Sequence, residues 1–450
     1  MKLLQRKWLL WAGGVLLTTV LLGAVLISNA PRGQTCPFLV ISDGSPDYPI
    51  YSSNGSLTYG NGTWIVVWPA GNSTTHSRHG AVLCCRSTDQ GKTWSNPNLI
   101  CNSGPLWKTE TAVSFGGGEH FVATWVSTDD TAGYHVFAST SADAGITWSQ
   151  PQDVTIVQTK IPSNYYGIEL LGDRNGRFLL FMQNTPYGQL SCRSVDHGKT
   201  WSKPMLLDSL VFPRGYYWEW AVSGNGTILA ASTNLKFVVQ SNNMGSTWTT
   251  TKLLADPPAY DKGMPPVFCG NESWTIPVRV PTKSGNTDDT ELNVTALSSS
   301  DNGTTWKFNP ASSTSGYKLS SPISSWYKVK SDLKGTFVAC GMIGTPANGN
   351  RGVVVSACTS DSGRSWSKET RLRETPMRDR TVNLLVDLEE RYATNNGNTL
   401  PIFERSTNGD SLLGFETDGT GTWIMLVSTI EGKLCIVRSI DNGRTWDSKL

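Results

Sequence analysis

Ser87–Trp94 reads STDQGKTW, and this eight-residue phrase occurs seven times along the 450-residue chain. Its pattern is Ser or Thr, any residue, Asp, any residue, Gly, any residue, Thr or Ser, and Trp. The copies end at Trp94, Trp148, Trp201, Trp248, Trp306, Trp366 and Trp446, so successive tryptophans are 54, 53, 47, 58, 60 and 80 residues apart. A repeat of this length indicates similar structural units that are stacked or arranged around a ring.

The sequence around each phrase predicts four strands per unit. A short alternating apolar run precedes the phrase, such as Ala81–Ser87 (AVLCCRS), and alternation is typical of half-buried strands. Two earlier apolar runs flank an Asn-Gly or similar turn, which is a strong hairpin signal. A fourth short run follows the Trp. Four antiparallel strands in about 50 residues make one blade of a β-propeller.

Seven such units predict an all-β, seven-bladed propeller. The seventh phrase ends at Trp446, only four residues before the last residue of the sequence, so its fourth strand must come from elsewhere. The apolar segment Cys36–Ser42 (CPFLVIS) is the expected substitute. Closing the ring in this way removes an open sheet edge that would invite aggregation.

The phrase itself consists of turn-forming residues. Ser, Thr and Asp side chains bond to nearby backbone amides, and Gly adopts positive φ at little cost. The closing Trp is expected to fold back over the turn. The fourth copy departs from the pattern, because Asn243 stands where the other copies carry Asp.

This phrase closely resembles the Asp-box, or BNR repeat, of sialidases and related propellers, and the resemblance extends from about residue 36 onward. In that family the boxes are structural turns away from the active site. They also occur in other glycosidases and in receptor ectodomains. The resemblance therefore implies the fold, whereas the activity has to be inferred from the residues of the central channel.

Composition narrows the classes of partner. The chain carries 38 basic and 36 acidic residues, a net charge of +2, which does not favour a nucleic-acid partner. The nine cysteines have no metal-ligand spacing, so we expect neither a metal nor another cofactor. The expected partners are a glycan or glycoconjugate and, through residues 8–27, a membrane.

Residues 1–30 predict a basic cytoplasmic stub followed by a signal-anchor or a signal peptide. Trp8–Ile27 is uncharged and long enough to span a bilayer as a helix, whereas Ser28–Ala30 resembles a cleavage site. Both alternatives export the propeller, residues 31–450. The protein is therefore predicted to be a type II single-pass membrane protein or a secreted protein.

Two further patterns agree with export. Seven Asn-x-Ser/Thr sequons are present, and those outside Asn-Gly turns are the better glycan candidates, namely Asn72, Asn271 and Asn293. Disulfides are predicted for an oxidising compartment, with buried free thiols as the alternative. The candidate pairs are Cys340 with Cys358, Cys101 with Cys84 or Cys85, and Cys36 with Cys435.

Carboxylates and aromatic residues recur where the innermost strands are predicted to begin. Aromatic faces stack on sugar rings and carboxylates accept hydroxyl hydrogen bonds, so the set predicts a sugar-binding floor, with packing between blades as the alternative. The candidates are Glu110, Glu169 and Glu219, with Trp107, Tyr166, Tyr217, Trp218 and Trp326.

The sialidase resemblance also implies a catalytic set. That family holds the sialic acid carboxylate with three arginines, uses a Tyr nucleophile assisted by a Glu, and uses an Asp as acid and base. Carried onto this chain, Tyr327 in WYKVKSDLKGTFVAC matches the nucleophile and Glu219 in WEWAVSGNGTILAAS matches its partner. Arg279 in IPVRVP matches one clamp arginine, and Arg214 is a further candidate anion contact.

This chain departs from the family pattern at three places. YPIYSSNGS replaces an Arg-Ile-Pro phrase in the first unit, and ILAASTN follows Glu219 where a second arginine is expected. The loop Gly71–Gly80 has no Asp to serve as acid and base. The arginine clamp is therefore atypical, which bears on sialidase activity itself.

The long sixth gap holds an insertion, residues 371–399, which is rich in charge and is predicted to be a lid, a partner surface or a solvated excursion. Taken together, the sequence predicts a sialidase-like protein that engages glycans in the secretory pathway or at the cell surface. It is either a glycoside hydrolase of the exo-sialidase type or a non-catalytic ectodomain that serves as a lectin or a protein-docking module.

Overall fold

The computed structural model describes strands of every repeat unit. The described residues are 39–42, 55–72, 77–102, 107–129, 133–155, 167–184, 188–207, 211–212, 218–253, 265–281, 292–309, 325–344, 352–361, 367, 370–372, 392–395, 398–401, 411–429 and 433–447. Phe38–Leu450 form one unit of the chain.

Within these ranges the chain forms seven four-stranded antiparallel sheets, which confirms the predicted blades. The first four blades are β2–β5 (Ser56–Gly60, Thr63–Asn72, Ser77–Ser87, Asn98–Cys101), β6–β9 (Trp107–Phe115, Phe121–Asp129, Gly133–Ser141, Gln152–Asp153), β10–β13 (Gly167–Gly172, Phe178–Asn184, Gly188–Ser194, Met205–Leu206) and β14–β17 (Trp218–Val222, Ile228–Ser232, Phe237–Ser241, Thr249–Lys252).

The remaining strands complete the ring and add one small hairpin. They are β18–β21 (Val267–Gly270, Ser273–Pro281, Leu292–Ser299, Lys307–Asn309), β22–β25 (Ser325–Ser331, Phe337–Gly344, Gly352–Thr359, Thr370–Arg371), the hairpin β26–β27 (Tyr392–Asn395, Asn398–Pro401), and β28–β30 (Ser411–Thr417, Trp423–Ser428, Leu434–Ser439) with β1 (Leu39–Ser42).

The ring closes as the sequence predicted. The sheet order β1-β30-β29-β28 makes Leu39–Ser42 the outermost strand of the seventh blade, with Leu39 opposite Ile436. The first strand of each blade contacts the first strand of the next, from β2 through β6, β10, β14, β18 and β22 to β28 and back to β2. These seven strands therefore surround the central channel.

The second strands are more buried than half-buried alternation predicts. In β3 the run from Trp64 to Trp68 is at most 1% exposed on both faces, and every residue of β15 is buried. The reason is that each sheet packs against a neighbouring blade on either side. One such cluster joins Ile65 and Val67 of the first blade to Phe121 and Trp125 of the second.

The fifth-blade copy shows the turn chemistry of the Asp-box in full. Ser299 Oγ accepts from the Gly303 N–H at 2.9 Å, and Asp301 accepts from the Thr305 N–H at 2.9 Å and from the Thr305 hydroxyl at 2.5 Å. Hydrogen bonds from Thr305 and then from Ser299 lower the pKa of Asp301 to about 2. The Trp306 ring N–H donates to the Gly303 carbonyl at 2.9 Å, so the Trp folds back as predicted.

Box tryptophans also join neighbouring blades. Trp306 packs against a cluster that contains Leu229 of the fourth blade, and Trp148 against a cluster that contains Ile65 of the first. Gly303 has φ +88°, and a Cβ placed there would lie 2.6 Å from Leu229 Cδ1. The box is therefore both a turn and a contact with the preceding blade.

Asn243 keeps the turn geometry with one bond reversed. Its Oδ1 accepts from the Thr247 N–H at 2.9 Å, as the Asp carboxylates do in the other copies. Its Nδ2 donates to Thr247 Oγ1 at 2.8 Å, whereas in an Asp copy the hydroxyl donates to the carboxylate. The neutral amide thus replaces the carboxylate without loss of a contact.

The observed register of β23 and β24 does not place Cys340 opposite Cys358. Cys340 lies opposite Ser356 and Cys358 lies opposite Val338, so the two thiols are offset along β23 and β24. These two residues are thiols, as are Cys84 and Cys85, so neither the Cys340–Cys358 pair nor a Cys101 pair with Cys84 or Cys85 is formed. Burial raises the pKa of the Cys340 thiol well above its usual value.

Several predictions fall outside the described residues, including the Trp8–Ile27 helix and the Cys36 partner of Cys435. Among described residues, no helix has the length and apolarity needed to cross a membrane. The predicted insertion contributes the hairpin β26–β27. The Asn302 amide of one Asn-Gly sequon is engaged, because it accepts from the Trp274 ring N–H and donates to Thr227 Oγ1.

Candidate functional site

The loops between first and second strands give a common scale for the channel. In the third, fourth, sixth and seventh blades the first residue of this loop donates its N–H to the carbonyl of the residue four positions later. These first loop residues are Asp173, Ser223, Asp332 and Asp418. Glu169, Glu219 and Lys328 each lie four positions before the first loop residue of their own blade. Lys330 and Glu416 each lie two positions before the first loop residue of their own blade. The five charged side chains therefore occupy two adjacent levels of the first strands, called here the channel charge cluster.

Glu169 and Glu219 form the acidic side of the first level. Enclosure by protein raises the pKa of Glu169, while the charges of Lys328 and Lys330 oppose that rise. Enclosure and then the negative charge of Glu169 raise the pKa of Glu219 to about 7, and Lys328 again opposes the rise. Glu169 is still exposed to channel water, so its charged form is less disfavoured than in a dry core.

Lys330 and Glu416 form an ion pair at the second level. Lys330 Nζ lies 3.0 Å from Glu416 Oε2, between the sixth and seventh blades. Enclosure disfavours the charge of Lys330, but Glu416 and Glu169 outweigh this effect, so the pKa of the lysine is raised. The Lys330 charge is therefore largely balanced within the protein.

Lys328 is the cation of the first level, and it is half-buried. Residues i and i+2 of a strand share a face, so Lys328 and Lys330 lie on the same face of β22. Among the residues that the structure describes, no carboxylate lies within ion-pair distance of Lys328, although its charge acts on both Glu169 and Glu219. Lys328, Lys330 and Glu416 were not predicted as site residues from the sequence, although an alignment of the hairpin loops places them at these two levels.

Tyr327 and Trp326 lie in an irregular part of β22. The pairing with β23 passes from Ser325 opposite Met342 to Lys328 opposite Cys340, so the two aromatic residues belong to a bulge. Bulges redirect side chains and are common beside active sites. The backbone thus places Tyr327 next to Lys328, one step before the first level of the cluster.

A second bulge occurs at Glu110. Thr109 and Thr111 pair with the consecutive residues Val126 and Trp125, which makes Glu110 the extra residue of β6. Its φ of +26° is unusual for a residue other than Gly. The structure thus brings Glu169 and Glu219 together at one level and places Glu110 on a different strand in a distorted segment.

The predicted aromatic and arginine contacts divide into three groups. Trp218 is 3% exposed and meets Phe212 edge-on at 5.4 Å, so its ring is engaged in packing. Trp107 begins β6, and Arg279 lies near the end of β19 opposite Val294, at the rim where the first strands begin. The residues Arg214, Tyr166 and Tyr217 lie outside the described part. The ligand contacts assigned to all of these residues remain predictions.

No metal centre accompanies the cluster in the described segments, where no group of three His, Cys, Asp or Glu side chains is arranged to hold an ion. The charged groups of the cluster are two carboxyl groups of raised pKa, two ammonium groups and a third carboxylate. Such a set binds polar ligands and transfers protons.

One family model and several solved structures are similar to this chain. The BNR repeat-like domain family matches residues 52–228. A comparison of the sequence with curated proteins gives no match. Similar solved structures include a variant of the NanB sialidase from Streptococcus pneumoniae, at 11% identity and TM-score 0.45 over 72% of this chain and 69% of that one.

Two other solved structures are similar over more of the chain. One is an ulvan lyase, at 10% identity and TM-score 0.49 over 90% of this chain and 94% of that one. The other is YCF48 from Cyanidioschyzon merolae, at 12% identity and TM-score 0.44 over 90% of this chain and 97% of that one. The seven observed blades make this chain a β-propeller, and its repeated box and the match of residues 52–228 are similar to the BNR-repeat, sialidase-like propellers.

Proposed function

We propose that the channel binds a glycan and that the protein is a glycoside hydrolase of the sialidase-like type, with Glu219 as its proton-transfer group. The observation that carries the proposal is the pKa of Glu219, raised to about 7 by enclosure and by Glu169. A carboxyl group with this pKa exchanges a proton at neutral pH, which an ordinary glutamate does poorly.

Glu219 is assigned to Tyr327 as its base. A phenol near pKa 10 is a poor nucleophile at neutral pH unless a neighbouring group takes its proton. A carboxylate of raised pKa is a stronger base than an ordinary one and suits that role. In this proposal the Tyr327 oxygen bonds to the anomeric carbon while its proton passes to Glu219 and the bond to the glycosidic oxygen breaks. The leaving oxygen takes a proton from channel water, and the resulting hydroxide displaces the Tyr327 oxygen from the anomeric carbon. Tyr327 then regains its proton from Glu219.

A non-catalytic binding module is the second candidate, and one observation favours it. None of the seven first strands that the structure describes carries an arginine, and the cations there are lysines. A site without the bidentate forks of arginine holds a carboxylate less rigidly. A lectin needs no such rigidity, whereas a sialidase clamp does.

Turnover of a substrate panel separates the two candidates. The purified full chain is offered a fluorogenic sialoside together with other aryl glycosides. We expect release that is abolished by Tyr327→Phe, and a folded Lys334→Met variant serves as the control because Lys334 lies exposed on a distant hairpin loop. Absence of release across the panel, from protein that unfolds cooperatively, would reject the hydrolase and favour the binding module.

We further propose that the propeller is exported through the segment Trp8–Ile27. Asn271 is an exposed residue of the tight turn between β18 and β19, so its sequon is accessible to glycosylation. After expression in secretory cells, glycan removal should shift the protein's mobility, and Asn271→Gln should remove part of that shift. Export would be contradicted by a chain that carries no glycan and that is digested by a protease added on the cytoplasmic side of intact membranes.

A further inference from the structure

Two histidine rings meet where the second and third blades touch. His120 ends the loop between β6 and β7, and His197 is the fourth residue of the third box. Their ring centroids lie 4.0 Å apart, with 31° between the ring planes, so the two imidazoles are close to stacked. Both side chains are half-buried, and neither shielded Nδ1 atom has a hydrogen-bond partner in the described part of the chain.

Backbone hydrogen bonds hold the segments that carry the two rings. The Gly176 N–H donates to the Gly116 carbonyl at 2.8 Å across the two blades, and the His197 N–H donates to the Gly176 carbonyl at 2.9 Å. Gly176 has φ +81°, and a Cβ placed there would lie 2.7 Å from His197 Cε1. The His197 ring thus packs directly against Gly176, and a shift of this ring would disturb both bonds.

The same box position makes an equivalent backbone bond in other blades. In the second, fourth and fifth blades the fourth box residue also donates its N–H to a carbonyl in the loop between the first and second strands, at Ala144, Met244 and Asn302. Of the four residues at this position only His197 titrates near neutral pH. The third box therefore carries a titratable group where these other boxes carry a neutral one.

A proton on either ring is costly in this arrangement. An imidazolium carries an N–H on both nitrogens, so its shielded Nδ1 would become a donor without an acceptor. Two charged rings 4.0 Å apart would also repel each other. In agreement, enclosure and then the charge of His120 lower the pKa of His197. Lys199 adds to this effect, whereas Asp196 and Asp173 oppose it, so the contact favours neutral rings.

The other charged groups around the rings do not remove this cost. They are Glu119 of the first loop, Asp173, Arg174 and Arg177 of the loop between β10 and β11, and Asp196 and Lys199 of the third box. Asp173 is bound to Arg177, and Asp196 accepts from the Thr200 N–H and hydroxyl. Glu119, Arg174 and Lys199 are exposed, so water screens their charges.

We propose that the His120–His197 contact is a pH-sensitive clasp that holds the second and third blades together while both rings are neutral and loosens when a ring takes up a proton. The proposal does not rest on the proposed function. An opened clasp exposes the rings to water, and the pKa of His197 then returns from its lowered value towards 6.5. By linkage the clasp is closed above about pH 6.5, and its stability is lost as pH falls below that value.

Amide hydrogen exchange of the full chain tests the clasp, because exchange reports local opening. Protection of the Gly176 and His197 amides is followed by mass spectrometry from about pH 8 to about pH 5, after correction for the intrinsic exchange rate. We expect it to fall by up to about tenfold for each pH unit below about 6.5, as uptake of one proton on opening requires. The Asn302 amide makes the equivalent bond without a histidine, and its protection should stay constant.

Three variants assign the effect to the ring pair. His197→Asn should remove the pH dependence, because Asn does not titrate and already occupies this positive-φ position at Asn302. His120→Phe should keep an aromatic ring against His197 and weaken the pH dependence, since repulsion between two charged rings is lost. His135→Gln is the matched control, because this ion-paired histidine of β8 is not part of the stack, and it should leave protection of the Gly176 amide unchanged.

Constant protection over this pH range, or an equal fall in the unsubstituted chain and in His197→Asn, would overturn the inference. An equal fall at the Asn302 amide would overturn it as well, because the loosening would then not be specific to the histidine contact. If His197→Asn does not unfold cooperatively in urea at neutral pH, His120→Phe decides, and a pH dependence equal to that of the unsubstituted chain rejects the clasp.

Discussion

The Asp-box turns and the first strands differ in what they repeat. The fully described boxes make nearly the same hydrogen bonds in each blade, and the copy with Asn243 preserves the geometry. The first strands share a backbone arrangement but place Glu169, Glu219 and Lys328 at one level. Repetition at the boxes holds the ring together, whereas variation along the channel supplies the chemistry.

The largest expected effect is the loss of turnover when Glu219 of the channel charge cluster is replaced. Glu219→Gln should lower turnover of the best substrate by about 10²–10⁴-fold, because a positioned proton-transfer group contributes that much. The same change should not lower stability at neutral pH. The measurement is turnover together with urea unfolding of the same protein sample, and loss of both together would mean that Glu219 is structural.

The pH dependence of stability tests the raised pKa of Glu219. Since the pKa of Glu219 is raised in the folded protein from 4.5 to about 7, the folded state holds a proton that the unfolded state has lost. This group therefore contributes stability at low pH, and that contribution is lost as pH rises from about 4.5 through about 7. Glu219→Gln should flatten this part of the stability profile, and an unchanged profile would contradict the assignment.

Breaking a box should cost stability and leave chemistry intact. Gly303→Ala forces a residue with a Cβ into φ +88° and places that Cβ 2.6 Å from Leu229. We expect a loss of about 2–4 kcal/mol, from backbone strain of about 1–2 kcal/mol plus overpacking. Gly62→Ala is the matched control, since Gly62 has φ +79° and no atom within 4 Å of the added Cβ. Equal losses in urea unfolding would show that the blade contact contributes nothing.

Substitution of Asp301 should change stability less, because the fourth box already shows how Asn takes the place of Asp. Asp301→Asn should reproduce the Asn243 arrangement and change stability by less than about 1 kcal/mol, whereas Asp301→Ala should cost about 0.5–2 kcal/mol, as for loss of a capping side chain. The pKa of Asp301 is lowered to about 2 in the folded protein. Its contribution to stability is therefore present above pH 4 and is lost as pH falls through about 2, and acid unfolding of Asp301→Asn should lack that part.

The smallest effect should come from the Lys330–Glu416 pair. Lys330 is 45% exposed at its side chain, so we expect a coupling below about 1 kcal/mol in a double-mutant cycle of Lys330→Met and Glu416→Gln. Urea unfolding of the four proteins measures it. A coupling of several kcal/mol would mean that channel water does not screen the pair.

The sequence was sufficient for the features that repeat. Seven boxes predicted seven blades, and the missing last strand predicted that Cys36–Ser42 would close the ring, which the strand Leu39–Ser42 does. It did not reveal that Asn302, which precedes Gly303, also has positive φ, because the pattern leaves that position open. Nor could strand alternation show that second strands such as β3 are buried on both faces, which follows from contacts between blades.

The site was harder to predict, because it depends on register. Whether Glu169, Glu219 and Lys328 share a level depends on the hairpin loop that ends each first strand and on the bulge at Tyr327. The same limitation undid the Cys340–Cys358 prediction, since neighbouring strands placed the thiols out of register. No single strand carries this information.

The pairing of β1 with β30 also imposes an order in time. Leu39 leaves the ribosome among the first residues of the ring, and Ile436, its partner across the sheet, nearly 400 residues later. During that interval neither strand has its native neighbour, and contacts so distant in sequence form slowly. A nascent chain of six finished blades is thus an open arc with unpaired strand edges, which is the state most exposed to aggregation during synthesis.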